Sequence, residues 1–409
     1  MKILLISAFF PPEVGSAAHL YYELGQALRS RGHEVTVLTG LPRYHVAEPG
    51  GAYRRRPLIY ETYHGLRVVR TFNLKIPWDI PVLRGADQFV FAFFAAGTGM
   101  LLPPFDVALV YSPPLPLALA AWGLCRLRRR PLVVNVQDLF PQSAIDLGLL
   151  HNPYLIRFFR GLETFLYQRA DLVMVHSEGN RRLILASGGA PERVMTVSNW
   201  VDTAEVRPGR RDNWVRTTLG LNQRFLVSFA GIMGYSQDLE TVLQSADLLR
   251  DEPEIAFVLV GDGVEKPKLV EMVRRRNLTN VFFLPMQPKE RYPDVLAASD
   301  LCLATLRPEV KTPVVPSKIL SIMAAGRPVL AGLPLEGDAP ALISEAGCGL
   351  AVPPGRPDSM AQAIRQLYRH PEERLGMGAN GRQYAVEYLS LAKWAERLEK
   401  NFAEICARG

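Results

Sequence analysis

The 409-residue chain is predicted to be an α/β protein made of two doubly wound parallel-sheet domains in series. Three observations lead to that fold class. Short apolar runs alternate with amphipathic helical stretches from end to end. Several of these runs, such as Val133-Val134 and Val173-Met174-Val175, are continuously apolar, as strands covered on both faces must be. The length exceeds what one hydrophobic core commonly serves, so two domains are expected.

In the first half the expected strands are residues 2–7, 34–39, 66–71, 107–111, 132–136, 172–176 and 194–197, with amphipathic helices that include 18–31 and 153–169. In the second half they are 225–230, 256–261, 281–284, 301–305, 328–331 and 349–352. Helices at 238–250, 266–276, 317–325, 357–369 and 372–388 intervene. Residues 202–219 are polar, charged and contain Pro208-Gly209, which marks a link. The expected domains are therefore 1–203 and 204–389, with a last helix at about 390–409 positioned to cross back to the first. The longest apolar run, 89–102, has 14 residues and contains Gly97 and Gly99. It falls short of the roughly 20 residues of a spanning helix, so it reads as a buried helix, with an interfacial role as the alternative.

Hydrophobic content of 48% and charged content of 21% are those of a globular protein. The four cysteines, Cys125, Cys302, Cys348 and Cys406, have neither metal-ligand spacing nor dense pairing, which fits a reducing, cytoplasmic setting. Lys2, the short run Ile3 to Ile6 and then Pro11-Pro12 read as a first strand and turn rather than a secretory leader. The net charge of +7 is uneven: residues 1–203 hold 21 Lys and Arg against 15 Asp and Glu, and residues 204–409 hold 26 against 25. The densest clusters are Arg54-Arg55-Arg56 and Arg126, Arg128, Arg129 and Arg130. With no nucleic-acid module in view, a nucleic-acid partner is not expected. A basic surface beside apolar helices favours an anionic membrane surface, with solvated loops as the plain alternative.

The most informative motif is the segment 316–329, Pro-Ser-Lys-Ile-Leu-Ser-Ile-Met-Ala-Ala-Gly-Arg-Pro-Val. Ser317 is an N-cap type, Lys318 to Ala325 fit about two helical turns, and Gly326 and Pro328 stop the helix. A helix start offers backbone N–H groups and partial positive charge, and Lys318 adds a full charge there. The combination suits a diphosphate; the alternative is an ordinary helix start with a solvated lysine.

Four loops follow strands at the edge where open α/β sheets bind ligands. Pro11-Pro12-Glu13-Val14-Gly15-Ser16-Ala17-Ala18 follows the first strand, as either a ligand loop or a tight turn. Ala230-Gly231-Ile232-Met233-Gly234 opens the second half in the same way, and Gly261-Asp262-Gly263 one strand later reads as a plain turn. Asp138 in Gln137-Asp138-Leu139-Phe140-Pro141 either orients an acceptor hydroxyl or caps a turn. Asn199-Trp200-Val201-Asp202 reads as a hinge or turn, His19 as a helix-surface residue, and Ser177 as a helix cap. No His–Cys cluster or strand-end Asp-x-Asp indicates a metal, so none is expected.

Taken in order, the Pro-Pro…Gly-Ser loop, Gln137-Asp138-Leu139-Phe140-Pro141, Asn199-Trp200-Val201-Asp202, the 230–240 segment and Pro316-Ser317-Lys318…Ala325-Gly326-Arg327-Pro328 resemble the GT-B glycosyltransferases of family 4. Within them the chain is similar to the bacterial fucosamine and colanic-acid transferase branch. The resemblance covers nearly the whole chain. It implies two Rossmann-like domains facing a cleft, with the acceptor on the first and a nucleotide sugar on the second. It also implies a retaining, metal-independent hexosyltransferase with no cofactor besides its donor substrate, a UDP-linked N-acetylated hexose. The implied acceptor is a lipid-linked saccharide of surface polysaccharide synthesis, and the implied place is the inner face of the cell membrane.

By the same resemblance Gly15, Ser16, Gly231, Gly234, Ser317, Lys318 and Ile319 hold the diphosphate, and Pro285, Met286, Gln287 and Ser321 meet the base and ribose. Asp138 and Lys318 are the catalytic pair. Gln137 stands where the family commonly has a histidine. The family's two glutamates map to Pro313 and Ser321, and its arginine and lysine after the glycine loop to Ile232 and Gln237. Lys318, helped by Arg307 or Lys311, is then expected to carry the phosphate charge, and Glu309 is the candidate replacement carboxylate. Two alternatives accompany this reading: a sugar-nucleotide epimerase of the same fold, and a catalytically weak sugar-nucleotide-binding protein.

Overall fold

A computed structural model describes residues 1–13, 15–42, 53, 56–74 and 81–408. Arg54 and Arg55 of the first basic cluster lie outside the described residues. The chain divides into two compact units, Met1–Ser198 with Leu391–Gly409, and Asn199–Ser390.

The first unit is built on eight strands: β1 (Lys2–Ile6), β2 (Glu34–Gly40), β3 (Leu58–Tyr63), β4 (Leu66–Thr71), β5 (Val107–Ser112), β6 (Leu132–Val136), β7 (Leu172–Val175) and β8 (Val194–Thr196). Their order is β3-β4-β2-β1-β5-β6-β7-β8, parallel except for the β3–β4 pair. The apolar runs explain the parallel core, since β6 and β7 are buried along their whole length. The edge strand β3 is absent from the sequence expectation, because its residue types do not follow its burial: Tyr60 is exposed and Glu61 half-buried. The helices are α1 (Ser16–Ser30), α2 (Pro81–Leu101), α3 (Leu115–Arg128), α4 (Gln142–Asp146), α5 (Pro153–Arg169) and α6 (Glu178–Ala186). Asn152 caps α5 by accepting from the Tyr154 and Leu155 amides at 2.9 and 3.2 Å, and Ser177 caps α6 through the Asn180 amide at 3.2 Å.

The apolar run 89–102 is part of α2, but it is not the buried helix its composition suggests. One side, with Phe91, Ala92 and Ala95, enters the core, and the other exposes Phe89, Phe93 and Leu101. Among the described residues no helix is long and apolar enough to cross a membrane.

The second unit holds β9 (Phe225–Ala230), β10 (Ile255–Val260), β11 (Val281–Leu284), β12 (Leu301–Thr305), β13 (Val329–Gly332) and β14 (Gly349–Val352), all parallel, in the order β11-β10-β9-β12-β13-β14. Its helices are α7 (Trp214–Leu219), α8 (Leu239–Leu248), α9 (Lys266–Arg276), α10 (Tyr292–Ala298), α11 (Ser317–Ala324), α12 (Asp338–Glu345), α13 (Pro357–Arg369) and α14 (Pro371–Tyr388). The chain then forms α15 (Leu391–Arg408), which belongs to the first unit. There Glu399 accepts from Arg31 at 2.5 Å and meets His33 Nε2 at 2.6 Å, tying α15 to the end of α1.

The strand order shows where ligands can sit. Both sheets reverse direction beside their first strand, between β1 and β5 and between β9 and β12, so loops at the carboxyl ends of those strands part to leave a crevice.

The stretch 202–219, polar enough to read as a link, is anchored in the second unit. Its α7 carries Val215 and Arg216, both fully buried. Arg216 Nη2 donates to Asp300 Oδ2 at 2.5 Å and Nε donates to the Ala298 carbonyl at 2.7 Å. Burial opposes ionisation of Asp300. Hydrogen bonds from Arg211 and the Leu226 amide, with the charges of Arg216 and Arg211, outweigh it and hold the carboxyl below its usual range. Removing Arg216 takes one of the two guanidinium partners of Asp300 and leaves the Ala298 and Leu221 carbonyls without their donor, so Arg216→Met is expected to destabilise the second unit by about 3 kcal/mol. A urea unfolding curve checks this, and an unchanged midpoint would refute it.

Candidate active site

The site in the second unit is built along the carboxyl ends of β11, β10 and β9. The Gly261 amide donates to the Leu284 carbonyl at 3.1 Å, and the Gly231 amide to the Val260 carbonyl at 2.9 Å. The Met233 amide donates to the Asp262 carbonyl at 2.8 Å. The two glycine loops lie closer than any side chain permits. A Cβ on Gly261 would stand 1.9 Å from the Gly231 carbonyl oxygen, and one on Gly263 would stand 2.4 Å from that of Met233. Gly261-Asp262-Gly263 is therefore a packing requirement and not the plain turn its sequence suggests.

Gly231, at φ 145°, leaves its bare Cα facing the end of Lys318: a Cβ there would lie 3.6 Å from Nζ. Lys318 comes from the first turn of α11, which follows β12 across the reversal point. Its Nζ donates to Gln237 Oε1 at 2.6 Å and sits 3.8 Å from the centre of the Phe229 ring. Neither neighbour carries a full negative charge, and burial lowers the Lys318 pKa to about 7. Such an ammonium has its charge incompletely compensated, so an anion arriving at the Gly231 backbone would be drawn to it. Among the described residues no three His, Cys, Asp or Glu side chains gather as a metal site.

The start of α11 differs from the sequence expectation. The cap is Pro316, with φ −57° and ψ 127°, and Ser317 is the exposed first helical residue. Proline already holds an extended geometry that ends the incoming loop, so the helix begins one residue earlier. Ile319 is buried in the core, and its amide donates to the Pro316 carbonyl at 3.0 Å. One turn after Lys318, Ser321 meets the hydroxyl of Tyr292, whose pKa is raised by burial despite that contact. Pro285, Met286 and Gln287 follow β11, and the Gln287 amide folds back onto the Pro285 carbonyl at 2.9 Å. Gly234 closes a turn with Gln237 and is not crowded.

Arg307 is committed elsewhere: its Nη2 meets Glu265 at 2.8 Å and Glu240 at 3.3 Å. The second phosphate cation the sequence suggested is thus already paired with two carboxylates. Lys311 and Glu309 are exposed on the following loop. Gln237 and Phe229, which set the position of Lys318, were missed as site residues. The signal for Gln237 was present in its replacement of the family's lysine.

In the first unit, Gly15 precedes α1 in extended geometry, with φ 164° and ψ 160°. Nothing lies within 4 Å of where its Cβ would be, so close approach to the protein does not explain this glycine. Ser16 opens α1; its side chain is not described. The preceding loop is held by the fully buried Arg70, which donates to the Pro11 carbonyl at 2.5 Å and to Glu61 at 2.6 Å. Asp138 stands past the end of β6. Burial raises its pKa and nearby Asp146 adds to that, while hydrogen bonds from Ser143 and the Leu139 amide pull the other way. Beside it, Gln137 Nε2 donates to Asn135 Oδ1 at 2.9 Å.

Known families match both units. Residues 15–200 match the model of the glycosyl transferase 4-like domain, and residues 224–370 that of glycosyl transferases group 1. This chain belongs to the GT-B glycosyltransferases of family 4.

This glycosyltransferase is 28% identical, over 80% of its length and 82% of the relative's, to a putative colanic acid biosynthesis glycosyl transferase of Escherichia coli (strain K12). It is 30% identical to a probable glycosyltransferase of Pseudomonas aeruginosa, over 64% of its length and 66% of the relative's. Its fold matches HepE of Anabaena, solved with UDP, with a TM-score of 0.74 and 18% identity, covering 99% of this chain and 100% of that one. It also matches sucrose-phosphate synthase of Thermosynechococcus elongatus, with a TM-score of 0.78 and 16% identity across all of both chains. The enzyme is of the hexosyltransferase class.

Gly261→Ala places a methyl group inside the Gly231 carbonyl. The loop under Lys318 must shift, and UDP binding is expected to weaken about tenfold or more, because close contacts at this density do not yield without rearrangement. Calorimetric titration with UDP checks this; parental affinity would show that the two glycine loops do not touch the nucleotide.

Proposed function

We propose that this glycosyltransferase moves an N-acetylated hexose, with retention, from a UDP-sugar to a lipid-linked saccharide in surface polysaccharide synthesis, at the inner face of the cell membrane. The carrying observation is the Lys318 ammonium held 3.8 Å from the Phe229 ring centre and against the bare Cα of Gly231. A diphosphate there would gain a full positive charge from Lys318 and partial charge from the start of α11. The relative named for colanic acid biosynthesis supports the pathway class, and the HepE complex with UDP supports the nucleotide.

In this reading the second unit binds the donor. Gly231, Gly234, Ser317, Lys318 and the α11 backbone around Ile319 face the diphosphate, Pro285, Met286 and Gln287 face the base, and Ser321 the ribose. The first unit takes the acceptor, near the loop of Gly15 and Ser16, with Asp138 as the carboxylate offered to its hydroxyl. Departure of UDP leaves negative charge on the β-phosphate, and Lys318 stabilises that charge as it forms. Lys318→Ala is expected to lower turnover about 100-fold or more, and Asp138→Ala about 100-fold while leaving UDP binding unchanged. Parental turnover in either variant, in a nucleotide-sugar transfer assay, would remove that residue from the mechanism.

The low pKa of Lys318, about 7, gives this reading a pH signature. Above that value the lysine is mainly neutral in the free protein, and a bound diphosphate would raise its pKa. Binding UDP at pH ~8 is therefore expected to take up close to one proton, and affinity to fall as pH rises above about 7. Without ligand the sign follows from the same shift. The unfolded chain holds the Lys318 proton up to its ordinary pKa, so folding stability rises with pH between about 7 and about 10.5. Titration in buffers of different ionisation heat measures the uptake, and no uptake would contradict the assignment.

Pro313 and Ser321, standing where the family carries glutamates, favour a second reading: a sugar-nucleotide binder with weak catalysis. Thermal stabilisation by UDP with no transfer to any acceptor pool would select it.

A further inference from the structure

We propose that the outward faces of α2 and α5 form a docking surface for an anionic lipid bilayer. The inference deepens the membrane placement above and rests on the first unit alone.

On α2 the exposed positions Phe89, Phe93, Gly97, Met100 and Leu101 fall at helical spacing and carry no charge. Phe93 is 76% exposed and Leu101 70%. On α5, Tyr154 is 82% exposed and Phe158 48%. The two helices meet through aromatic rings: Phe89 and Phe158 have centroids 6.3 Å apart, and Phe89 and Phe159 6.5 Å. From Phe89 to Leu101 the α2 stripe runs about 18 Å at the α-helical rise. Apolar side chains in that number on one face are unusual for a surface left in water.

The charge around the stripe names the partner. Arg157 and Arg160 are exposed on α5 beside Phe158. At the other end Arg128 donates to the Leu102 carbonyl at 2.9 Å, which sets the exposed Arg126, Arg129 and Arg130 against the end of α2. The only carboxylates on α2 and α5 are Asp87 and Glu163, and both are engaged. Asp87 accepts from the Leu74 amide at 2.5 Å, and Glu163 is buried against the Tyr167 hydroxyl at 3.0 Å. The face is therefore aromatic in the middle and cationic at both ends. Phosphate headgroups pair with arginine, and phenylalanine and tyrosine settle at the boundary between headgroup and acyl chain. A second copy fits poorly. A twofold axis would lay the face on itself, and whichever way the stripes ran, an arginine end would meet an arginine end, with both carboxylates of α2 and α5 already engaged.

The test is co-sedimentation of the full chain with vesicles of phosphatidylglycerol mixed with phosphatidylcholine, and with phosphatidylcholine alone. The parent is expected to bind the anionic vesicles, with affinity falling as salt rises. Phe93→Ser with Tyr154→Ser, and separately Arg157→Glu, should each weaken binding about tenfold or more. These residues are exposed, and an unchanged thermal shift with UDP shows that the fold and donor site are intact. That shift also separates the two proposals, since its absence in the parent would count against the donor site and not against this surface. Parental binding in both variants, equal binding to neutral vesicles, or a dimer in solution that Phe93→Ser dissolves would each overturn the inference.

Discussion

The close approach of two backbone loops in the second unit is the constraint on which the candidate site depends. Gly261 and Gly263 have no side chains, so the loop after β10 can press against the carbonyls of Gly231 and Met233. That contact fixes the loop after β9, whose bare Gly231 leaves room for the end of Lys318. A side chain at Gly261 or Gly263 would collide with those carbonyls and separate strand ends that hydrogen bonds hold together. The lysine is then enclosed by groups that do not neutralise it, the Gln237 amide oxygen and the Phe229 ring, and its lowered pKa follows from that enclosure. Position and electrostatics thus have one cause.

The same site shows how one cation can stand where the family's pattern has several charged groups. Gln237 uses its amide oxygen to hold Lys318. Arg307 looked available from its sequence position, but Glu240 and Glu265 engage it. What separates the two cations is their acceptors. Two carboxylates offset the charge of Arg307, whereas an amide oxygen and a ring face leave most of an ammonium's charge for a ligand.

The first unit follows a different logic. Its sheet and α15 are held by apolar burial and by the Glu399 contacts to Arg31 and His33, while the outer sides of α2 and α5 stay uncovered. The run 89–102 looked like a buried helix because composition averages over both faces. The structure separates the inward Phe91, Ala92 and Ala95 from the outward Phe89 and Phe93. The reverse error affected 202–219, where polar composition concealed the buried Arg216, because a guanidinium can enter a core when every N–H finds an acceptor.

By itself, the sequence determined the two doubly wound sheets, since continuous apolar runs such as 173–175 must be covered on both faces. It also determined that Lys318 begins a helix after a strand, because proline before and glycine after bound that helix locally. It misplaced the cap by one residue, and it took Gly261-Asp262-Gly263 for a plain turn, where the two loops in fact crowd each other. Only the tertiary structure decided that residues 229, 231, 237, 261 and 318 meet. Their meeting depends on the order β10-β9-β12 and on the register of those strands. Local propensity does not encode either one, because each contact joins backbone and side chains that are distant along the chain.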